Sequence, residues 1–305
     1  MTISQVQDAI LTLKRDRDIC VLAHVYQARE ILEVADFTGD SYALSVEAGR
    51  TENSRVIMCG VRFMAENVKL LSPEKAVYLA NPSAGCPMAD QLGAERMRAA
   101  MEKYSGSTAV CYMNTTAQIK AMCDVCVTSS SAVKIIKAMD EQDILFVPDC
   151  NLGAYVARRV PEKTIRLING GCPTHVAVGS ADVERARREH PGAPLLVHPE
   201  CVPDVVEAAD YVGSSSGIFD YAVKSESREF IIGTEASIAE HLQYACPNKR
   251  FYYLSNRLVC PNMKATTLMD LYHCCQGDGG EEITIPEAIF APAKRCIERM
   301  IELGG

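Results

Sequence analysis

Three cysteines, Cys86, Cys172 and Cys260, stand 86 and 88 residues apart. Each closes an apolar run (AVYLANPSAGC, IRLINGGC, FYYLSNRLVC) and each is followed by proline. Thiolates select zinc and iron–sulfur clusters, and Cys-Pro recurs in iron–sulfur ligation. Three thiolates fall one short of completing a four-iron cluster. One iron is then left open, and an open metal is a Lewis acid that polarises substrate oxygens. A closed zinc site wants four ligands and usually a closely spaced cysteine pair. Cys123 and Cys126 have that spacing but no second pair follows, so they read as packing, as do the adjacent Cys274 and Cys275.

Other polar positions keep the same step. Tyr26, Tyr112 and His198 are 86 and 86 residues apart, each after a strand-like run. Ser41, Ser129 and Ser215 are 88 and 86 apart, and Ser214 adjoins the last of them. Hydroxyls at helix starts, beside free backbone N–H groups, make an anion site suited to phosphate or carboxylate, although plain N-capping uses the same residues. His24 with Tyr26, and His198 with Glu200, are acid–base pairs at corresponding strand ends. Asn114 follows Tyr112 by two residues, and His175 follows Cys172 by three, within reach of one site.

These residues need a scaffold that presents strand ends to a common point. Short apolar runs alternate with helical patterns, the mark of parallel βαβ units. The first unit reads helix 3–15, strand 19–23, helix near 28–35 or 41–49, strand 55–59, helix 61–71 and strand 76–80. The second reads helix 90–103, strands 108–112 and 125–128, helix 130–139, strand 143–147, helix 152–159 and strand 164–168. The third reads helix 181–189, strands 194–198 and 210–213, helix 216–224, strand 229–233, helix 236–244 and strand 250–254. Residues 266–304 read as helical, returning to the first unit. The expected domains are 1–88 with 266–305, 89–176, and 177–265. Ligands in such sheets bind beyond the carboxyl ends of the strands, where the periodic cysteines, the serines and His24, Tyr26, Tyr112, Asn114, His198 and Glu200 fall.

Composition narrows the class. A chain of 305 residues carrying net charge −8 gives no basic surface for nucleic acid or acidic membrane. No apolar run is long enough to span a bilayer, and the start reads as a capped amphipathic helix rather than a signal peptide. Fourteen cysteines, most within apolar runs, fit a reducing cytoplasm better than a disulfide framework. There is no phosphate-binding loop of nucleotide type.

The phrases LAHVYQ, GDS, GCPMAD, YMNTT, VTSSSA, PDCNLG, GGCPTH, VHPE, GSSSGI, GTE and CPNMKATTL occur in this order along the whole chain. On them the chain resembles the quinolinate synthase family. The resemblance implies three pseudo-threefold-related Rossmann-like parallel α/β domains around a central [4Fe-4S] cluster. The cluster would have three cysteine ligands, Cys86, Cys172 and Cys260, and one open iron. It implies condensation of iminoaspartate with dihydroxyacetone phosphate to quinolinate, phosphate and water, in de novo NAD biosynthesis. It also implies a functional link to an iminoaspartate-producing enzyme. Tyr26, His24, His198 and Glu200 would move protons. Tyr112 and Asn114 would orient the dicarboxylate. Ser41, Ser129, Ser214, Ser215 and His175 would complete the substrate site. One departure is Gly213-Ser214-Ser215-Ser216-Gly217, where the family reads threonine at the central position. Serine keeps the hydroxyl and loses the methyl that restricts its rotamer.

Overall fold

Runs rich in Val and Ile form strands because β-branched side chains pack on a pleated surface, and strands covered on both faces need no polar alternation. The protein is described by a computed structural model covering residues 1–304. Among these residues the strands are β1 (Ile19–His24), β2 (Phe37–Gly39), β3 (Arg55–Cys59), β4 (Ala76–Leu79), β5 (Thr108–Tyr112), β6 (Val125–Val127) and β7 (Asp143–Val147). They continue as β8 (Thr164–Leu167), β9 (Leu195–Val197), β10 (Tyr211–Val212), β11 (Glu229–Gly233), β12 (Arg250–Tyr253) and β13 (Glu281–Glu282).

The chain divides into two units. One comprises residues 1–86, 116–121 and 260–294; the other comprises 87–115, 122–259 and the chain from 295 on. The first unit holds a sheet ordered β13-β4-β3-β1-β2, parallel except for β13, which runs antiparallel to β4. The second unit holds two parallel sheets, ordered β6-β5-β7-β8 and β10-β9-β11-β12. Setting β13 aside, all three sheets share one order, second strand, first, third, fourth. The period read from the cysteines is thus a period of topology, and the fold is α/β with three parallel-dominated sheets.

In each sheet the chain leaves the first strand in one direction and returns on its other side. That reversal opens a crevice at the carboxyl end of the first strand. β1 ends on His24, β5 ends on Tyr112, and His198 follows β9 directly. The catalytic-type residues of the sequence stand at these three switch points.

Two further triplets explain why the units repeat. Asp36, Asp124 and Asp210 precede the second strands. Each accepts through Oδ2 from a first-strand backbone N–H, of Val21 at 2.7 Å, Ala109 at 2.8 Å and Leu195 at 2.7 Å. The N–H of each aspartate donates back to the carbonyl of the same first-strand residue. Lys75, Lys163 and Lys249 precede the fourth strands, and their ammonium groups bind two or three backbone carbonyls of the segment leading to the third strand. Such carbonyls at helix ends lack internal partners and need an outside donor. Each sheet is therefore closed twice by polar side chains at its amino end, leaving the carboxyl end to chemistry.

The N-terminal helix, Ile3–Asp16, is held by a capping box in which Thr2 and Gln5 satisfy each other's backbone N–H. Between β1 and β3 the sequence suggested a helix at 28–35 or 41–49. The structure has the short helix Arg29–Leu32, the three-residue β2 and the helix Ser41–Arg50. β2 escapes periodicity because it is short and only half buried. Residues 266–304 are not uniformly helical. Thr267 starts a helix over Leu268–Gln276, Gly277 ends it in the left-handed conformation (φ 83°), and β13 intervenes before the helix Glu287–Glu302. The first of these helices packs in the core of the first unit through Leu268, Leu271, Cys274 and Cys275. In the second unit Cys296 contacts Cys111 of β5, and Lys134 binds the carbonyl of Gly304.

Candidate active site

In the second unit, five of the residues picked out in the sequence converge, drawn from both of its sheets. Glu200, 3% exposed, is the hub. Its Oε1 accepts from the Tyr112 phenol at 2.8 Å, and its Oε2 lies 2.8 Å from Nδ1 of His175. The rings of His175 and His198 approach to 4.9 Å between centroids. Cys172 Sγ lies 3.3 Å from His175 Nδ1. Ligand atoms of Cys172, His175 and Glu200 all lie within 4.8 Å of one another.

The electrostatics follow from burial and neighbours. Burial works to raise the Glu200 carboxyl. His198 and His175 beside it, with the hydrogen bonds from His175 and Tyr112, outweigh that and hold it at about 2. Burial lowers His198 to about 4, so it is neutral near pH 7. Glu200's backbone N–H donates to His198 Nδ1 at 3.3 Å, which requires that nitrogen to be bare. The 3.9 Å approach of His198 to Glu200 is therefore no ion pair, and the neutral ring carries its proton on Nε2. Burial and then Glu200 push the Tyr112 phenol well above its usual range, with Ser129 hydrogen-bonded to it as a smaller opposing influence. It remains a donor.

Behind this network lies Asp149, in the PDCN phrase. It starts the helix Cys150–Arg159, its Oδ1 accepting from the N–H groups of Asn151 at 2.8 Å and Leu152 at 3.0 Å. Oδ2 is buried with no hydrogen-bond partner among the described residues. Burial, then the charge of Glu200, raise this carboxyl to about 7. Asn151 also donates to the Glu200 carbonyl at 3.2 Å. Neither Asp149 nor Asn151 was singled out in the sequence. Asp149 has an acidic partner 86 residues on, Glu235, which likewise accepts from the N–H two residues later, Ser237, at 2.9 Å.

In the first unit, His24 and Tyr26 are both buried at the end of β1, and their rings meet edge to face at 4.5 Å. Tyr26 N–H donates to His24 Nδ1 at 3.1 Å, the same arrangement as Glu200 on His198. The loop that begins at Cys260 docks on this turn. Gln27 donates to the Met263 carbonyl at 2.6 Å, and Lys264 donates to the Tyr26 carbonyl at 2.7 Å. Cys86 ends the loop after β4 and precedes the short helix Pro87–Asp90.

The serines stand at or near helix starts as expected, but only one of them is a cap. The cap of the helix Ser41–Arg50 is Asp40, whose carboxylate binds the N–H groups of Tyr42 and Ala43; Ser41 is the first helical residue. Ser129 lies two residues before Ser131, the N-cap position of the helix Ala132–Ala138. Ser214 is a true cap and accepts from Gly217 N–H at 3.2 Å, and Ser215 follows it as the first residue of the helix Ser215–Lys224. Aspartate wins the first cap because its carboxylate accepts twice there. Asn114 is half buried beside Tyr112.

The cysteines divide by burial. None of the fourteen is disulfide-bonded, and Cys86, Cys172 and Cys260 are all partly exposed. Cys111, Cys123, Cys126 and Cys296 are buried. Cys111 Sγ lies 3.5 Å from Cys296 Sγ. The hydrogen bond to Cys111, then burial, push the Cys123 thiol well above its ordinary value, which keeps it a neutral packing group as expected. Thiols that must ionise to bind metal belong in polar, accessible loops, and Cys86, Cys172 and Cys260 lie in loops of that kind. Cys246 is also partly exposed and followed by proline, but it stands off the period, at the C-terminal cap of the helix Ser237–Ala245.

The chain matches the family model described as NadA: Quinolinate synthetase A protein over residues 8–302. It is 44% identical over 296 residues to a quinolinate synthase of Alkaliphilus metalliredigens, covering 97% of each chain. It is 45% identical over 291 residues to that of Clostridium kluyveri, covering 95% of this chain and 96% of the relative. To that of Caldicellulosiruptor saccharolyticus it is 46% identical over 304 residues, 99% of this chain and 100% of the relative.

Proposed function

Because the chain belongs to the quinolinate synthetase A family, we propose that it is a quinolinate synthase. It condenses iminoaspartate with dihydroxyacetone phosphate and releases phosphate and water. The observation that carries this reading is the buried Tyr112–Glu200–His175 network at the strand switch points, in a chain that matches the family from residue 8 to residue 302. The three α/β domains are taken as 1–88 with 266–305, 89–176 and 177–265.

Cys86, Cys172 and Cys260 are the residues to hold a [4Fe-4S] cluster, on the strength of their repeat spacing together with partial exposure and Cys-Pro loops. When bound, such a cluster supplies an open iron able to polarise an oxygen or nitrogen of the substrate. The chain's own residues do the rest. Glu200, held as the anion by His198, His175 and the Tyr112 hydrogen bond, takes part in the proton transfers of carbanion formation and dehydration. His198, neutral with its proton on Nε2, donates to a departing hydroxyl. Tyr26 and His24, paired at the end of β1, serve the same exchange from the first unit. Tyr112 and Asn114 orient the dicarboxylate, and His175 completes the site by holding the Glu200 carboxylate. Ser41, Ser129, Ser214 and Ser215 bind phosphate and carboxylate oxygens. Ser214 does so as a donor, since its oxygen already accepts from Gly217.

We take the reaction to run in the cytoplasm, functionally linked to an iminoaspartate-producing enzyme. Among the described residues no helix is long and apolar enough to cross a membrane. The test is anaerobic incubation of the purified protein with iminoaspartate and dihydroxyacetone phosphate. Quinolinate formation supports the reading, and its absence from iron-loaded protein overturns it.

A further inference from the structure

In the first unit, side chains that the reaction does not use join the turn carrying His24 and Tyr26 to the loop that begins at Cys260. The join is reciprocal. Gln27 Nε2 donates to the Met263 carbonyl at 2.6 Å, and Lys264 Nζ donates to the Tyr26 carbonyl at 2.7 Å. Two consecutive residues of the turn meet two consecutive residues of the loop, and each side supplies one donor and one carbonyl. The next loop residue, Ala265, is bound from the loop that ends at Cys86. Asn81 Nδ2 donates to its carbonyl at 2.9 Å, while Asn81 Oδ1 accepts from the N–H and the hydroxyl of Ser83.

Gln27 is 1% exposed, and its backbone N–H closes the turn on the His24 carbonyl at 2.9 Å. Its Oε1 is buried with no hydrogen-bond partner among the described residues. An unpaired amide oxygen in the interior destabilises the fold, and methionine of nearly the same shape would not carry that cost. What the amide supplies in return is its N–H group, and that is given to the Cys260 loop. Met263 and Lys264 follow Cys260 by three and four residues, and the Lys264 N–H donates to the Cys260 carbonyl at 3.2 Å. Holding Met263 and Lys264 therefore holds Cys260.

We propose that Gln27 and Lys264 are positioning residues, a clasp that fixes the Cys260 thiol relative to the His24–Tyr26 pair, with Asn81 tying the Cys86 loop to the same place. This rests on the reading of Cys86 and Cys260 as cluster ligands and of Tyr26 as a proton-moving group. Groups standing behind a metal ligand commonly change metal affinity or activity by about 10- to 100-fold when removed. Gln27 closes the LAHVYQ phrase and Lys264 lies in CPNMKATTL, and neither phrase shows in the sequence that it binds the other.

The test compares full-length parent, Gln27→Met, Lys264→Met and the double variant, each loaded with iron and sulfide under anaerobic conditions. Methionine keeps the length of both side chains and removes their donors. Three quantities are read: the half-life of the cluster's visible absorption after adding an iron chelator, kcat and KM for both substrates, and the melting temperature. Each single variant is expected to lose its cluster about tenfold faster and to fall about tenfold in kcat, with KM changed less than about threefold. The double variant is expected within about twofold of the worse single variant, because either cut opens the clasp. Chelator half-lives equal to the parent's in both single variants overturn the proposal, whatever the melting temperatures. So does a shorter half-life with unchanged kcat, since the loop would then be held without reference to His24 and Tyr26. A double variant about 100-fold impaired also overturns it, since the two contacts would then act independently. If Gln27→Met does not fold, Lys264→Met alone must lose both half-life and kcat. Parent protein that takes up no iron refutes the ligand reading instead, and parent that makes no quinolinate refutes the reaction; both are recognised before any variant is compared.

Discussion

The phenol of Tyr112, at the end of β5, donates to Oε1 of Glu200, three residues beyond β9, at 2.8 Å. It joins the switch points of two sheets within one unit. Replacing Tyr112 by Phe leaves one oxygen of a fully buried carboxylate without that donor. Removing one member of an acid–base network costs about 10²- to 10⁴-fold in rate. Tyr112→Phe is expected to lower kcat by at least about 10²-fold, measured as quinolinate formed under saturating substrates, while the cluster's visible spectrum is unchanged.

Stability should depend on pH in two opposite ways. Asp149 has a folded value raised to about 7, above the roughly 3.9 of an unfolded aspartate. The folded protein therefore binds this proton more tightly. The contribution is whole below about pH 4 and is lost as pH rises through about 7. His198 has a folded value lowered to about 4, below the roughly 6.5 of the unfolded chain. Its contribution is whole above about pH 6.5 and is lost as pH falls toward 4. Asp149→Asn is expected to raise the melting temperature at pH 8 and not at pH 4, with a gain of at most about 4 kcal/mol. Melting curves from pH 4 to 8 check this, and a uniform shift at all pH values would contradict it.

The lysine triplet is a matter of folding, not chemistry. Lys163 is buried and binds the carbonyls of Met139 and Glu141. Lys163→Met keeps the stem and strands both carbonyls. A loss of about 1–3 kcal/mol in stability is expected, by denaturant titration, with turnover per folded molecule unchanged at low temperature.

Much of this was legible because repetition exposes it. The triplets of cysteine, of Tyr26, Tyr112 and His198, and of serine all stand at the carboxyl ends of strands whose order is the same in three sheets. The parallel α/β fold followed from the strand and helix pattern. Two triplets went unread. Asp36, Asp124 and Asp210 keep the same spacing, but a charged residue before a short strand looks like an ordinary turn. Lys75, Lys163 and Lys249 look like surface cations until their partners are seen. Asp149 and Glu235 stand 86 residues apart, each accepting from the N–H two residues on, and this pair also went unread. The sequence places the serines at helix starts, and Ser41 and Ser215 are the first residues of their helices, while the cap itself is Asp40 in one and Ser214 in the other. β2 and β13 are too short to leave a period.

The cysteine assignment makes the sharpest claim. Cys86, Cys172 and Cys260 are partly exposed in polar loops, whereas Cys126 is fully buried among other thiols. The deciding measurement is iron and sulfide content, with the visible spectrum, of anaerobically purified parent, Cys172→Ser and Cys126→Ala proteins, each then assayed for quinolinate. The account predicts about four irons per chain and quinolinate formation in the parent. It predicts the same iron content in Cys126→Ala, and neither a stable cluster nor product in Cys172→Ser. Full iron loading in Cys172→Ser, or zinc in place of iron in the parent, would contradict it.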